Sequence, residues 1–261
     1  TTAPAPRHLD QKFMAVTPEL LSSFPLFKSL PGKLLNQLAQ QSTLTKFARR
    51  GIVLNAGVRE EHMCFLFEGR LQGVDFTIDG REVGLYFMEP GDFCGELGLF
   101  DQGTQPEYII ALTPVVVVNI PLESLQGIML SNAGVMTMLG KKLATRVRQM
   151  TQQRTLLGLP NVSQRVCCQL WNLVPNPGKQ ATKVDADPKN QKKEGTEASS
   201  AINNPPTHQE IAIMLNVSRE TVTRVFQKLQ SQRVVQRDGP KSLLIIDLLS
   251  LKKLAEGGQE L

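Results

Sequence analysis

Apolar side chains recur at helical spacing through residues 17–42, as Leu20, Leu21, Phe24, Phe27, Leu30, Leu34, Leu35 and Leu38, with interruptions at Pro25 and Pro31. Proline ends a helical turn, so this spacing predicts several short helices and not one long one. From Phe47 to Ile120 the pattern changes to short apolar runs broken by glycines from Gly51 to Gly103. Runs of this kind predict antiparallel strands closed into a roll, barrel or sandwich. Asp79-Gly80, between Val74–Ile78 and Glu82–Phe87, marks a hairpin turn, and Val115–Ile120 reads as a buried strand.

Ser131 to Leu157 contains no proline, and Met136, Leu143, Val147, Met150 and Leu157 fall on one stripe. That stripe predicts a long helix paired with a second chain, a homodimer seam. Lys141, Lys142, Arg146, Arg148 and Arg154 flank it without a single acid. A hinge is expected near Gly158-Leu159-Pro160. Residues 175–206 are polar and poor in aromatic and β-branched side chains, which predicts a flexible insertion. The expected organisation is α+β: helices and a β-roll over 1–130, a dimerisation helix over 131–158, and a DNA-binding domain over 159–261 that carries the insertion.

The densest motif runs from Thr207 to Leu229. Thr207 and Glu210 have the spacing of a capping box that opens a helix ending near Leu215, and Ser218 caps a second helix. Ala212 is small where two helices would cross, Val217 fills the turn, Val222 and Val225 face inward, and Asn216 tolerates a left-handed backbone. Together these residues specify a helix-turn-helix. Arg219, Glu220, Thr223 and Arg224 then lie in the turns that enter a major groove, where a guanidinium forks onto guanine and a carboxylate accepts from cytosine. Ser218, Thr207 and His208 are added as contacts at the two helix starts. Val234–Arg237 and Ser242–Ile246, joined through Asp238-Gly239, read as a wing, with Arg233, Arg237 and Lys241 placed for phosphates.

Composition narrows the rest. The 261 residues carry 29 Lys and Arg against 24 Asp and Glu, a net charge of +5 that favours an anionic partner such as double-stranded DNA. The three histidines are dispersed, so neither a metal site nor a catalytic base and nucleophile pair is expected, and the chain is read as a non-enzyme. Four cysteines form no secreted framework. The vicinal Cys167-Cys168 pair leaves a thiol-redox response as an alternative form of control. No apolar run has the length of a membrane helix and Thr1–Asp10 has no leader-like stretch, which predicts a cytoplasmic protein without membrane contact.

The order of two motifs, Pro90-Gly-Asp-Phe-Cys-Gly-Glu-Leu-Gly-Leu-Phe100 and Val217-Ser-Arg-Glu-Thr-Val-Thr-Arg224, resembles the bacterial catabolite activator and fumarate-nitrate regulator (Crp/Fnr) superfamily of transcription factors. The resemblance implies a homodimer with a cyclic-nucleotide-binding β-roll, a long dimer helix and a winged helix-turn-helix, working with RNA polymerase. It also implies that Arg219, Glu220 and Arg224 read TGTGA-like half-sites, as in the catabolite activator branch. The cysteine cluster of the oxygen-sensing branch is missing, since the first cysteine is Cys64. In the cAMP-binding members Gly95, Glu96 and Leu97 would belong to the effector pocket, and an Arg-Ser pair about ten residues on would hold the phosphate. Here those positions are Pro106 and Glu107. A carboxylate there repels a phosphate, so the expected effector is none or c-di-GMP in preference to cAMP. Arg70, Arg81, Arg146 and Arg148 are the candidate phosphate ligands.

Overall fold

The computed structural model describes residues 15–175, 200–259 and 261. Two compact units are present: residues up to Arg81 with Leu85–Met150, and Glu82–Gly84 with Thr151–Leu261.

In the first unit the broken helical spacing yields α1 (Pro18–Ser22), a 3-10 turn (Pro25–Phe27) and α2 (Gly32–Gln41). The three segments start at or just after Pro18, Pro25 and Pro31, since proline fits a helix start, where an N–H would have no intrahelical partner. The glycine-punctuated stretch forms two four-stranded antiparallel sheets. One joins β1 (Thr43–Phe47), β3 (His62–Glu68), β6 (Phe93–Cys94) and β8 (Val115–Pro121) in the order β1-β8-β3-β6. The other joins β2 (Ile52–Leu54), β4 (Leu71–Phe76), β5 (Glu82–Met88) and β7 (Tyr108–Ala111) in the order β2-β7-β4-β5. A short helix α3 (Gly98–Asp101) lies between β6 and β7.

Strand β3 shows how the pleat divides this unit. Cys64 and Leu66 enter a core that draws side chains from both sheets, Leu54, Leu71, Tyr86, Met88 and Val117 among them. Met63 and Phe65, pointing to the opposite face, pack with Phe24 and Phe27 beneath the N-terminal helices. Because both faces are covered, the strand reads as an apolar run and not as alternation. Gly73 accepts the ring of Tyr86, since a Cβ there would lie 2.7 Å from it.

After β8 come α4 (Leu122–Ser131) and the long α5 (Ala133–Leu157). Val135 and Leu139 are buried in the first unit and Leu156 in the second. The predicted seam is only partly covered in the single chain. Met136, Val147 and Met150 are 44%, 64% and 48% exposed, while Leu143 and Leu157 are half-buried.

The second unit packs α6 (Val162–Leu173), α7 (His208–Leu215), α8 (Arg219–Ser231) and α9 (Leu248–Glu256) around one core with a small sheet. That sheet corrects one expectation. The predicted wing strands are present as β10 (Val235–Arg237) and β11 (Ser242–Ile245), but β9 (Ser200–Asn203) pairs on the far side of β11. The composition places Ser200–Asn203 near the end of the 175–206 insertion. Ile202 is buried opposite Leu243 while Asn203 faces water, an alternation that the polar average of the stretch concealed. Residues 176–199 of that insertion lie outside the described residues.

Candidate functional site

The helix-turn-helix is built from local hydrogen bonds. Thr207 Oγ1 accepts from the Glu210 N–H at 3.2 Å and the Glu210 carboxylate accepts from the Thr207 N–H at 2.9 Å, closing the capping box. Asn216 ends α7 in the left-handed conformation at φ 50°, ψ 50°. Ser218 starts α8, its Oγ accepting from the Thr221 N–H at 3.2 Å.

Val222, Val225, Phe226 and Leu229 take the inner face of α8 into the core together with Ile211, Ala212 and Leu215. With that face occupied, Arg219, Glu220 and Arg224 are left exposed on the first two turns of α8. Thr223 is half-buried. Its hydroxyl donates to the Arg219 carbonyl at 3.0 Å and its oxygen also meets His208 Nδ1 at 3.0 Å. Arg224 Nη2 donates to Thr221 Oγ1 at 3.3 Å, which directs the guanidinium along the helix. In the wing Arg237 and Lys241 are exposed, with Gly239 at φ +68° turning the hairpin. Thr207, His208, Ser218, Arg219, Glu220, Thr223 and Arg224 are thus gathered around the turn and the outer face of α8, with Lys241 on the adjoining wing.

The glycine-rich motif of the roll builds a second, buried site. Gly95 has φ +84°, and a Cβ there would lie 3.0 Å from the His62 carbonyl oxygen. Glu96 follows at 1% exposure, with Arg146 Nη1 at 3.2 Å. Arg146 reaches it from α5, where the seam residue Val147 faces away. The same guanidinium donates through Nη1 to the Tyr86 hydroxyl at 2.8 Å and through Nη2 to the Phe93 carbonyl at 2.7 Å. It lies 4.2 Å from the centre of the Tyr86 ring. Tyr86 in turn donates to the Glu107 carboxylate, which stands 3.9 Å from Arg146 Nη1. Burial raises the Glu96 carboxyl above its ordinary value in spite of Arg146, and burial pushes the Tyr86 phenol well above its own. Two carboxylates and one guanidinium therefore fill the neighbourhood of Gly95 with the protein's own charges, and the acids are in excess.

Residues 44–132 match the cyclic nucleotide-binding domain and residues 164–254 the Crp-like helix-turn-helix domain. The chain belongs to the Crp/Fnr superfamily. A curated Crp/Fnr relative from Pasteurella multocida, named cAMP-activated global transcriptional regulator CRP, is 26% identical over 195 residues, covering 74% of this chain and 86% of that protein. Among solved structures, a CooA mutant from Carboxydothermus hydrogenoformans superposes with a TM-score of 0.66 at 17% identity, covering 90% of this chain and 95% of that one. The c-di-GMP responsive global regulator CLP of Xanthomonas campestris superposes with a TM-score of 0.58 at 20% identity, covering 82% and 99%. At such identities the two structures share the Crp/Fnr fold with this chain.

Of the arginines named for a phosphate in this Crp/Fnr roll, only Arg146 is at Glu96. Arg70 pairs with Glu89 at 2.7 Å, Arg81 with Asp79 at 2.9 Å on the exposed hairpin tip, and Arg148 is exposed on α5. Leu97 is half-buried beside Glu96, whereas Pro106 is exposed and Glu107 turns inward. Tyr86 was missed in the sequence; its one signal is Gly73, a glycine inside a strand that marks close approach by a large side chain. The alternative thiol site is poorly suited to nucleophilic chemistry. Burial pushes the Cys167 thiol up to about 12 and also raises Cys168, whose Sγ donates to the Ala255 carbonyl at 3.0 Å. Among the described residues no group of three His, Cys, Asp or Glu side chains is placed to hold a metal ion, and no helix is long and apolar enough to cross a membrane.

Proposed function

We propose that this Crp/Fnr transcription regulator acts as a homodimer on TGTGA-like inverted repeats and that cAMP is not its effector. The observation that carries the DNA half of this reading is the outer face of α8: Arg219, Glu220 and Arg224 are exposed on its first two turns while the apolar face is buried. A guanine-directed fork, a cytosine-directed acceptor and a second fork are the donor and acceptor set of such a half-site. The exposure of Met136, Val147 and Met150 supports pairing of two chains, which sets two half-sites about one helical turn apart.

The effector half follows from the Glu96–Arg146–Glu107–Tyr86 cluster. A phosphate entering it meets an existing excess of carboxylate, and the nearest guanidinium is already committed to Glu96, Tyr86 and Phe93. Burying a further anion beside two carboxylates that share one guanidinium is strongly unfavourable where water cannot screen it. The roll then serves as a fixed scaffold, with its own arginine and glutamates in the place of a ligand.

Two measurements test the two halves. Fluorescence anisotropy should show a duplex with two inverted TGTGA half-sites binding at least tenfold more tightly than a scrambled duplex of equal length, and binding should not change with added cAMP. Equal affinity for both duplexes would remove the half-site assignment. Calorimetry should give no heat of binding with cAMP; a micromolar Kd would overturn the closed-pocket reading. A signal with c-di-GMP alone would move control of the protein to a cyclic dinucleotide.

A further inference from the structure

We propose that His208 takes up a proton as the phosphate backbone of double-stranded DNA docks, so that DNA affinity in this protein is linked to pH. The inference builds on the DNA-binding function above and adds a named titrating contact to it.

Thr223 Oγ1 lies 3.0 Å from both the Arg219 carbonyl oxygen and His208 Nδ1, and the proposal places its one proton on the carbonyl, the usual back-bond of a helical threonine to the residue four before it. The hydroxyl oxygen is then the acceptor in the 3.0 Å contact with His208, so Nδ1 carries the hydrogen and Nε2 holds the lone pair of the neutral ring. Phe226 lies against the ring with centroids 4.4 Å apart, which restrains its plane. A neutral ring in this tautomer offers only an acceptor at Nε2 and cannot donate to a phosphate oxygen; a protonated ring can.

The charged groups around His208 oppose that proton while DNA is absent. Burial acts first, then Arg237 from β10 and Arg219 from α8, and together they hold the imidazole below its ordinary value. The acid of its own helix, Glu210, is turned to the Thr207 N–H. The ring also sits in the first turn of α7, where the positive end of the helix disfavours a cation. A phosphodiester stays anionic throughout the neutral range and offsets both arginines and the helix end at once. The ring pKa is therefore higher in the complex than in the free protein, and affinity rises as pH falls through that interval. A single linked proton per chain bounds the change at about tenfold in Kd per pH unit for one half-site.

The test is anisotropy at constant salt between pH 6 and pH 8, with the TGTGA palindrome and its scrambled counterpart as probes, on the unaltered protein, His208→Asn and His208→Arg. Asparagine keeps a donor near the Nδ1 position and does not titrate; arginine is charged throughout. The unaltered protein should weaken with rising pH on both probes, His208→Asn should bind weakly with a much flatter profile, and His208→Arg should bind tightly with a flat one. NMR provides a variant-free readout, since the chain has only three histidines: the His208 ring should titrate at higher pH in the complex. Parallel pH profiles for unaltered protein and His208→Asn with binding intact, or an imidazole titration unmoved by DNA, would overturn this inference and leave the DNA-binding reading standing. No binding to either duplex at any pH would overturn both.

Discussion

Arg146 is the residue on which the roll depends most. It is buried among Glu96, Glu107, Tyr86 and the Phe93 carbonyl, and among the described residues no other cation forms an ion pair with these two carboxylates. Removing one partner of a buried ion pair costs more than the pair contributed, because the remaining charge has lost its compensation. Arg146→Met should lower the unfolding free energy in urea by about 3–5 kcal/mol, and adding Glu107→Gln should recover part of the loss. An unchanged urea midpoint for Arg146→Met would contradict the cluster. Glu96 gives a pH-dependent counterpart. Its carboxyl is raised from the ordinary 4.5 by burial, so the folded state holds this proton more firmly than the unfolded chain does. The stability it contributes is complete below 4.5 and is lost as pH rises through the folded value. Glu96→Gln should therefore gain on the unaltered protein between pH 4 and pH 7, read as urea midpoints at the two ends of that range. A gap between the two proteins that stays constant with pH would place the titration elsewhere.

At the scale of single elements, the proposed function divides the work of DNA binding between α8 and the wing. The exposed guanidinium of Arg224 lies on the helix proposed to enter the groove, whereas Lys241 lies on the hairpin proposed to meet the backbone. Arg224→Ala should cost about 1–3 kcal/mol of binding and relax the preference at one base pair of each half-site. Lys241→Ala should weaken specific and random duplexes alike and reduce the salt slope by about one per site. Anisotropy titrations at two salt concentrations separate the cases; an equal loss on both duplexes for Arg224→Ala would assign that residue to phosphates. The wing itself is a three-stranded unit, and β9 ties Ser200–Asn203 into it through the buried Ile202. Deleting residues as far as Asn203 would strip β11 of a partner strand.

For the whole molecule, the decisive surface is the stripe on α5. Val147, at 64% exposure, is a large apolar side chain next in sequence to the buried Arg146. One helix thus serves the roll on one face, and the proposed homodimer seats a second chain on the other. Val147→Glu or Leu143→Glu should shift sedimentation toward the monomer and weaken binding to the palindrome by tenfold or more, since each monomer keeps one half-site. A variant that remains dimeric with full affinity would transfer the interface to another surface.

Much of this protein is legible along the chain because its signals are local. Capping residues at Thr207 and Ser218, a left-handed Asn216, Asp79-Gly80 at a hairpin and prolines at helix starts act over a few residues, so α7, α8, the β4–β5 turn and the short N-terminal helices follow directly from them. The reading face of α8 follows as well, because an amphipathic helix with a filled inner face leaves one set of side chains for a partner. Tertiary structure alone decided the partners of Arg146, which lie 39 residues or more away in sequence on β5, on and just after β6, and just before β7. A lone basic residue on a helix carries no local sign of whether it turns to water, to a ligand or inward to carboxylates. The same holds for Ser200–Asn203, which becomes a strand only because β11 offers an open edge. Local sterics and hydrogen bonds specify elements; burial of charge and pairing of distant strands are specified by the packed whole.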